Sequence, residues 1–192
     1  MSGVFARAFS DSERLMGEFR ADAAALATLE NLTERLAKTF MDGHKVMAAG
    51  NGGSHADAVH FCEEWTGRFK RDRVPLPALA LGDAAHITCV ANDYGYGHVF
   101  SRMVAAFGQP GDLLFLLSTS GQSENLVLAA QAGHDAGAHV VGFLGRGGGR
   151  LAPLCHQVVM APGSTSDRIQ EIHMCALHAL IEAVELRMGL GQ

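Results

Sequence analysis

His60 and Glu64 lie four residues apart, a spacing that sets an imidazole and a carboxylate on one helix face about a turn from each other. Such a pair could hold a divalent metal or act as acid and base. Flanked by Glu63 and Arg68, the pair viewed alone reads better as a solvated charged face. Ser118-Thr119-Ser120-Gly121-Gln122-Ser123 packs four hydroxyls into six residues. Hydroxyls and free amides at a helix start suit a phosphate dianion without Lys or Arg. Helix capping accounts for one or two of these hydroxyls, not for four. Gly50-Asn51-Gly52-Gly53-Ser54 lets the backbone turn sharply and approach a ligand. It matches neither glycine-rich nucleotide pattern, so nucleotide binding is unsupported, and a plain strand-to-helix turn remains the other reading. Towards the end of the chain stand Asp167, Arg168, Gln170, Glu171, His173 and His178. His178, between Leu177 and Leu180, also reads as a satisfied core histidine.

The elements around these residues follow from apolar spacing. Residues 1–40 read as helix, with Phe9, Leu15, Met16, Phe19, Ala23, Leu26, Leu29, Leu32, Leu36 and Phe40 at three-to-four residue intervals. Asp42-Gly43 ends that pattern. Short apolar runs then alternate with helical stretches. Strands are expected at 45–49, 78–81, 112–117, 139–144 and 157–160. Helices are expected at 54–69, 84–92, 99–107, 123–137 and 166–188. Continuous apolar strands alternating with helices predict an α/β fold: a three-layer, doubly wound parallel sheet flanked by helices. In such sheets ligands sit beyond the carboxyl ends of the strands, where both unusual loops fall. Gln170 and His178 are about 12 Å apart along a helix and roughly 80° around it. A site using both is easier to build with a neighbouring subunit, which predicts an active site at a subunit interface. The N-terminal helical segment, residues 1–40, is then the expected oligomerisation element, preceding one structural unit at 41–192.

Composition excludes several classes. The chain has 192 residues, 48% of them hydrophobic and 18% charged, ample for a buried core and unlike a disordered chain. A net charge of −5 argues against a nucleic-acid partner. No stretch approaches the ~20 apolar residues of a membrane span. Arg7, Asp11, Glu13 and Arg14 occupy the place where an export signal needs an apolar run, so a cytoplasmic location is expected. Cys62, Cys89, Cys155 and Cys175 show no disulfide or metal spacing and are expected as reduced thiols. Glycine, 23 of 192 against a usual level of roughly 7%, is concentrated in turns.

Read together, Asn51-Gly52-Gly53-Ser54-His55-x-Asp57-x-x-His60-Phe61-x-Glu63-Glu64, Thr66-Gly67-Arg68, Asn92-Asp93-Tyr94-Gly95, Ser118-Thr119-Ser120-Gly121-x-Ser123-x-Asn125 and Asp167-Arg168-Ile169-Gln170-Glu171-Ile172-His173 resemble the phosphoheptose isomerase family of the sugar-isomerase (SIS) domain superfamily. The resemblance runs from about residue 10 to 185 in one order. It implies an aldose–ketose isomerase acting on D-sedoheptulose 7-phosphate and yielding D-glycero-D-manno-heptose 7-phosphate, the first step toward the heptose of bacterial lipopolysaccharide. Carried over, it implies that Ser118, Thr119, Ser120 and Ser123 hold the phosphate. Asn51, Gly52, Gly53, Ser54, Arg68, Asn92, Asp93, Asp167 and Gln170 would complete the substrate site. His60, Glu64, Gln170 and His178 would bind zinc, one ion per subunit, with Glu64 and His178 also transferring the proton. The family is typically a homotetramer with sites between subunits.

Two alternatives stand beside this reading. One is a non-catalytic SIS-domain protein that binds the bacterial replication initiator. Such a protein lacks the catalytic carboxylate and the late histidine, both present here. The other is an isomerase for another sugar phosphate. His55, Trp65, Phe69 and Lys70 depart from the residues expected in many relatives and are expected to alter the rim of the site. Arg146-Gly147-Gly148-Gly149-Arg150 reads as a flexible turn without a further role.

Overall fold

The computed structural model describes residues 3–190; residues 1–2 of the expected helical segment and 191–192 lie outside them. Two helices open the chain, α1 (Val4–Ala21) and α2 (Ala23–Met41). The single helical stretch expected over 1–40 is thus divided. Asp22 takes an extended conformation, and its carboxylate accepts from the amides of Ala24 and Ala25, capping α2. The apolar spacing runs through this break because both helices bury the same face, with Leu15 and Phe19 continuing into Leu32 and Leu36.

Five strands follow: β1 (Val46–Gly50), β2 (Ala78–Ala80), β3 (Leu113–Ser118), β4 (His139–Leu144) and β5 (Gln157–Met160). They alternate with α3 (Gly53–Thr66), α4 (Ala84–Tyr94), α5 (Ser101–Phe107), α6 (Glu124–Asp135) and α7 (Ser166–Arg187). The sheet is parallel in the order β2-β1-β3-β4-β5. This is the doubly wound α/β architecture expected. Its core lies on both faces, and strand alternation divides it. Leu113, Phe115 and Leu117 of β3 face α1, α2, α3 and α7, whereas Leu114 and Leu116 face α4, α5 and α6. Trp65, expected at a rim, is instead fully buried in the first core, 5.0 Å from the Phe40 ring and 5.8 Å from that of Phe61. All four cysteines are free thiols. No helix among the described residues is long and apolar enough to cross a membrane.

The strand order reverses between β1 and β3, where Gly50 is paired with Leu117. The two loops singled out in the sequence therefore leave the sheet side by side at its switch point, the place where such sheets bind ligands.

Candidate active site

A cleft of about 150 Å³ at this point is lined by Asn51, Ser54, Ser118, Thr119, Ser120, Ser123, Ser166 and Gln170. Three helices begin there: α3 beside Ser54, α6 after Ser123 and α7 at Ser166. Each presents free amides and the positive end of its dipole, so the cleft favours an anion with no Lys or Arg in its lining. The hydroxyls are already set. Ser118 Oγ accepts from the Gly121 amide at 2.9 Å, and Ser120 Oγ from the Gln122 amide at 3.3 Å. Each keeps its own O–H hydrogen to donate. Ser123 caps α6 with no side-chain bond, leaving its hydroxyl for a ligand.

The glycines of the first loop have distinct tasks. Gly52 has φ 56, a left-handed conformation that starts α3. Gly53 leaves room for Gln170, since a Cβ there would stand 2.7 Å from the Gln170 amide nitrogen. That nitrogen donates to Ser54 Oγ at 3.3 Å, joining the first turns of α3 and α7. Asn51 exchanges two hydrogen bonds with Asn125, at 3.0 and 2.9 Å, and accepts from the Tyr96 hydroxyl at 2.9 Å. Sequence reasoning assigned no role to Asn125, Tyr96 or Ser166; the signals available were Ser123 and Asn125 alternating at one helix start and the Ser164-Thr165-Ser166 run at another.

Farther along the same two helices a second group forms. His60 Nε2 lies 3.1 Å from Glu64 Oε1 and 3.1 Å from His178 Nε2. One potential ligand atom from each of the three lies within 4.8 Å of the others. A single ring nitrogen carries either one proton or one lone pair, so His60 Nε2 cannot satisfy both neighbours well by hydrogen bonding alone. Imidazole and carboxylate donors converging in this way fit a divalent cation. Phe69 stacks on the His178 ring at 5.7 Å, fixing its plane. Asp57, one turn before His60, buries one carboxylate oxygen without a partner. Burial pushes its acid up to about 6, against an opposing pull from His60.

The structure thus brings His60, Glu64 and His178 together within one chain. The fourth residue of the implied metal set, Gln170, bonds Ser54 in the cleft two turns earlier on α7. Other predicted residues are placed elsewhere. Arg68 is exposed beyond α3, its guanidinium donating to the Lys70 carbonyl at 3.3 Å. Asn92 and Asp93 are exposed at the end of α4, where the Asn92 amide donates to Asp93 at 2.7 Å. Asp167 is exposed in the first turn of α7, 3.3 Å from Arg168. Lys70 pairs with Glu182 of α7 at 2.6 Å.

A family model described as the SIS domain matches residues 9–145. The phosphoheptose isomerase of Fusobacterium nucleatum is 50% identical over 156 residues, 81% of this chain and 80% of that protein. The chain belongs to the phosphoheptose isomerase family. It is accordingly an enzyme of the isomerase class. Solved phosphoheptose isomerase structures agree with the fold. That from Neisseria gonorrhoeae has a TM-score of 0.88 at 35% identity, covering 95% of this chain and 97% of its own. That from Francisella tularensis has a TM-score of 0.90 at 32% identity, covering 95% and 96%.

Proposed function

We propose that this chain interconverts D-sedoheptulose 7-phosphate and D-glycero-D-manno-heptose 7-phosphate in the cytoplasm, toward the ADP-heptose of lipopolysaccharide. The observation that carries the reading is the double meeting of α3 and α7. They touch first at the hydroxyl-lined cleft through Ser54 and Gln170, and again at His60, Glu64 and His178. The rise from Ser54 to His60 is about 9 Å. An extended sugar phosphate, with its anion and its carbonyl at opposite ends, spans two such stations.

In this reading the helix starts and the hydroxyls of Ser118, Thr119, Ser120 and Ser123 hold the phosphate. Its binding energy then positions the reacting carbons at the far end. Gln170 and Asn51, fixed by Ser54 and Asn125, meet the sugar hydroxyls. Glu64 removes the proton from the carbon beside the carbonyl, giving an enediol(ate), and returns it to the neighbouring carbon, while His178 moves the hydroxyl proton between the two oxygens as the carbonyl shifts between C1 and C2. A carboxylate has two oxygens, so Glu64 can face an ion with one and substrate with the other. The three converging side chains would hold zinc, which when bound supplies Lewis-acid polarisation of the sugar carbonyl.

A homotetramer is part of the same proposal. Phe5 and Phe9 lie four residues apart on α1 and are 73% and 71% exposed, an apolar pair suited to a second copy of the chain. The deciding experiment assays the purified protein on sedoheptulose 7-phosphate with and without a chelator and measures bound metal. Turnover that falls on chelation and returns with zinc supports the proposal; absence of turnover in metal-replete protein overturns it.

A further inference from the structure

The turn after β4 is not a loose connection. Gly145 lies so close to the hydroxyl loop that a Cβ would stand 2.9 Å from the Thr119 carbonyl oxygen, and a Cβ on Gly121 would overlap the Gly148 carbonyl. The Gly145 and Leu151 amides donate to Ser118 and Gly121 carbonyls at 3.2 and 3.0 Å. Between them Arg146 has φ 49, the one non-glycine with positive φ among the described residues. An arginine held in a left-handed conformation within a run of glycines needs a reason in its side chain.

Its guanidinium supplies one. Nε donates to the Thr119 carbonyl at 2.9 Å, and Nη2 donates to Thr119 Oγ1 at 2.9 Å and Ser166 Oγ at 3.3 Å. Both hydroxyls line the cleft, and their oxygens are 3.0 Å apart. Two hydroxyls carry two hydrogens. Their mutual contact uses one, and Arg146, which has no acceptor, can take neither. One hydrogen therefore remains to point into the cleft. An acceptor such as a phosphoryl oxygen is what such a site lacks.

We propose that Arg146 is the positioning and charge-supplying residue of the anion cleft: it turns Thr119 and Ser166 into donors and places a permanent cation one hydroxyl behind the bound phosphoryl group. The inference rests on reading the cleft as a phosphoryl site. It adds a cation that the cleft lining does not contain, fixed from a separate strand end.

The test uses the full chain with inorganic phosphate as probe, measured by calorimetry, alongside kinetics on the sugar phosphate. Arg146→Gly removes the guanidinium and relieves the positive φ in one step. We expect thermal stability equal to or above that of the parent, with phosphate affinity and KM both weakened about tenfold, the scale of a lost charge-assisted hydrogen bond. The larger share of the kinetic loss should fall on KM. Arg146→Lys should recover part of the affinity and keep a salt dependence close to the parent's, whereas phosphate binding by Arg146→Gly should depend less on salt. An Arg146→Gly protein that binds phosphate as the parent does overturns the inference while leaving the cleft's assignment intact. A parent that turns over the sugar phosphate but does not bind phosphate at millimolar concentration also overturns it. A parent with phosphate binding but no isomerase activity overturns the proposed substrate instead, and the affinity difference between parent and variant still decides the role of Arg146.

Discussion

Arg73 and Glu185 form an ion pair at 2.8 Å whose side chains are only 2% and 6% exposed. The same guanidinium donates to the carbonyls of Glu64 and Trp65 at 2.6 Å each, satisfying the last turn of α3. Arg73 thereby fastens the end of the helix carrying Glu64 to the helix carrying His178. Removing one partner of such a pair strands a buried charge. Arg73→Met is expected to cost roughly 3–5 kcal/mol in denaturant unfolding, and Glu185→Gln, which keeps an acceptor, distinctly less. Equal and small losses would show that the pair does not hold the two helices.

Glu64→Gln and His178→Ala are each expected to lower turnover by about a hundredfold or more, the scale of general acid–base catalysis, with unchanged circular dichroism. Turnover near the parent's in both would remove the proposed proton-transfer roles.

Two glycine substitutions should separate function from stability. Gly53→Ala meets only the movable end of Gln170, at 2.7 Å, so melting should barely change while Gln170 is pushed off Ser54 and kcat/KM falls. A misplacement of that kind costs about tenfold or more. Gly121→Ala meets backbone at φ 63, with the Gly148 carbonyl in the way, and is expected to destabilise by at least ~2 kcal/mol. Thermal melting paired with steady-state kinetics reads both.

Acid stability should follow His173. Burial pushes its imidazole down to about 4, partly offset by its bond to the Leu144 carbonyl at 3.2 Å. A base whose folded pKa is depressed contributes stability present above its unfolded value and lost as pH falls toward the folded one. Unfolding free energy should therefore decline between about pH 6.5 and 4, with roughly 3 kcal/mol arising from this residue. His139, also held near 4 chiefly by burial, acts in the same direction. His173→Gln should flatten the decline; an unchanged slope would assign it to other groups.

Much of this was legible in the sequence for identifiable reasons. β4 and β5 begin and end at the expected residues because their apolar runs are bounded by glycine and proline-rich segments. β1 shifts by one residue, since Gly50 continues the strand before the turn. The break at Asp22 was missed because apolar periodicity passes through it, although an aspartate before three alanines is a capping signal. His60 and Glu64 showed themselves by helical spacing, but their meeting with His178 depends on how α3 lies against α7, which local patterns do not encode. Arg73 and Arg146 were invisible for a shared reason: an arginine in a charged or glycine-rich loop looks solvated until the carbonyls it serves are known.

Among the described residues every strand is complete by Met160, yet Gln170, His178 and Glu185 all ride on α7. A chain emerging from the ribosome N-terminus first thus presents all five strands before the helix that carries these side chains. If His178 transfers the proton as proposed, partially synthesised product with the right scaffold is chemically inert, and competence arrives in a single late step when the last helix docks.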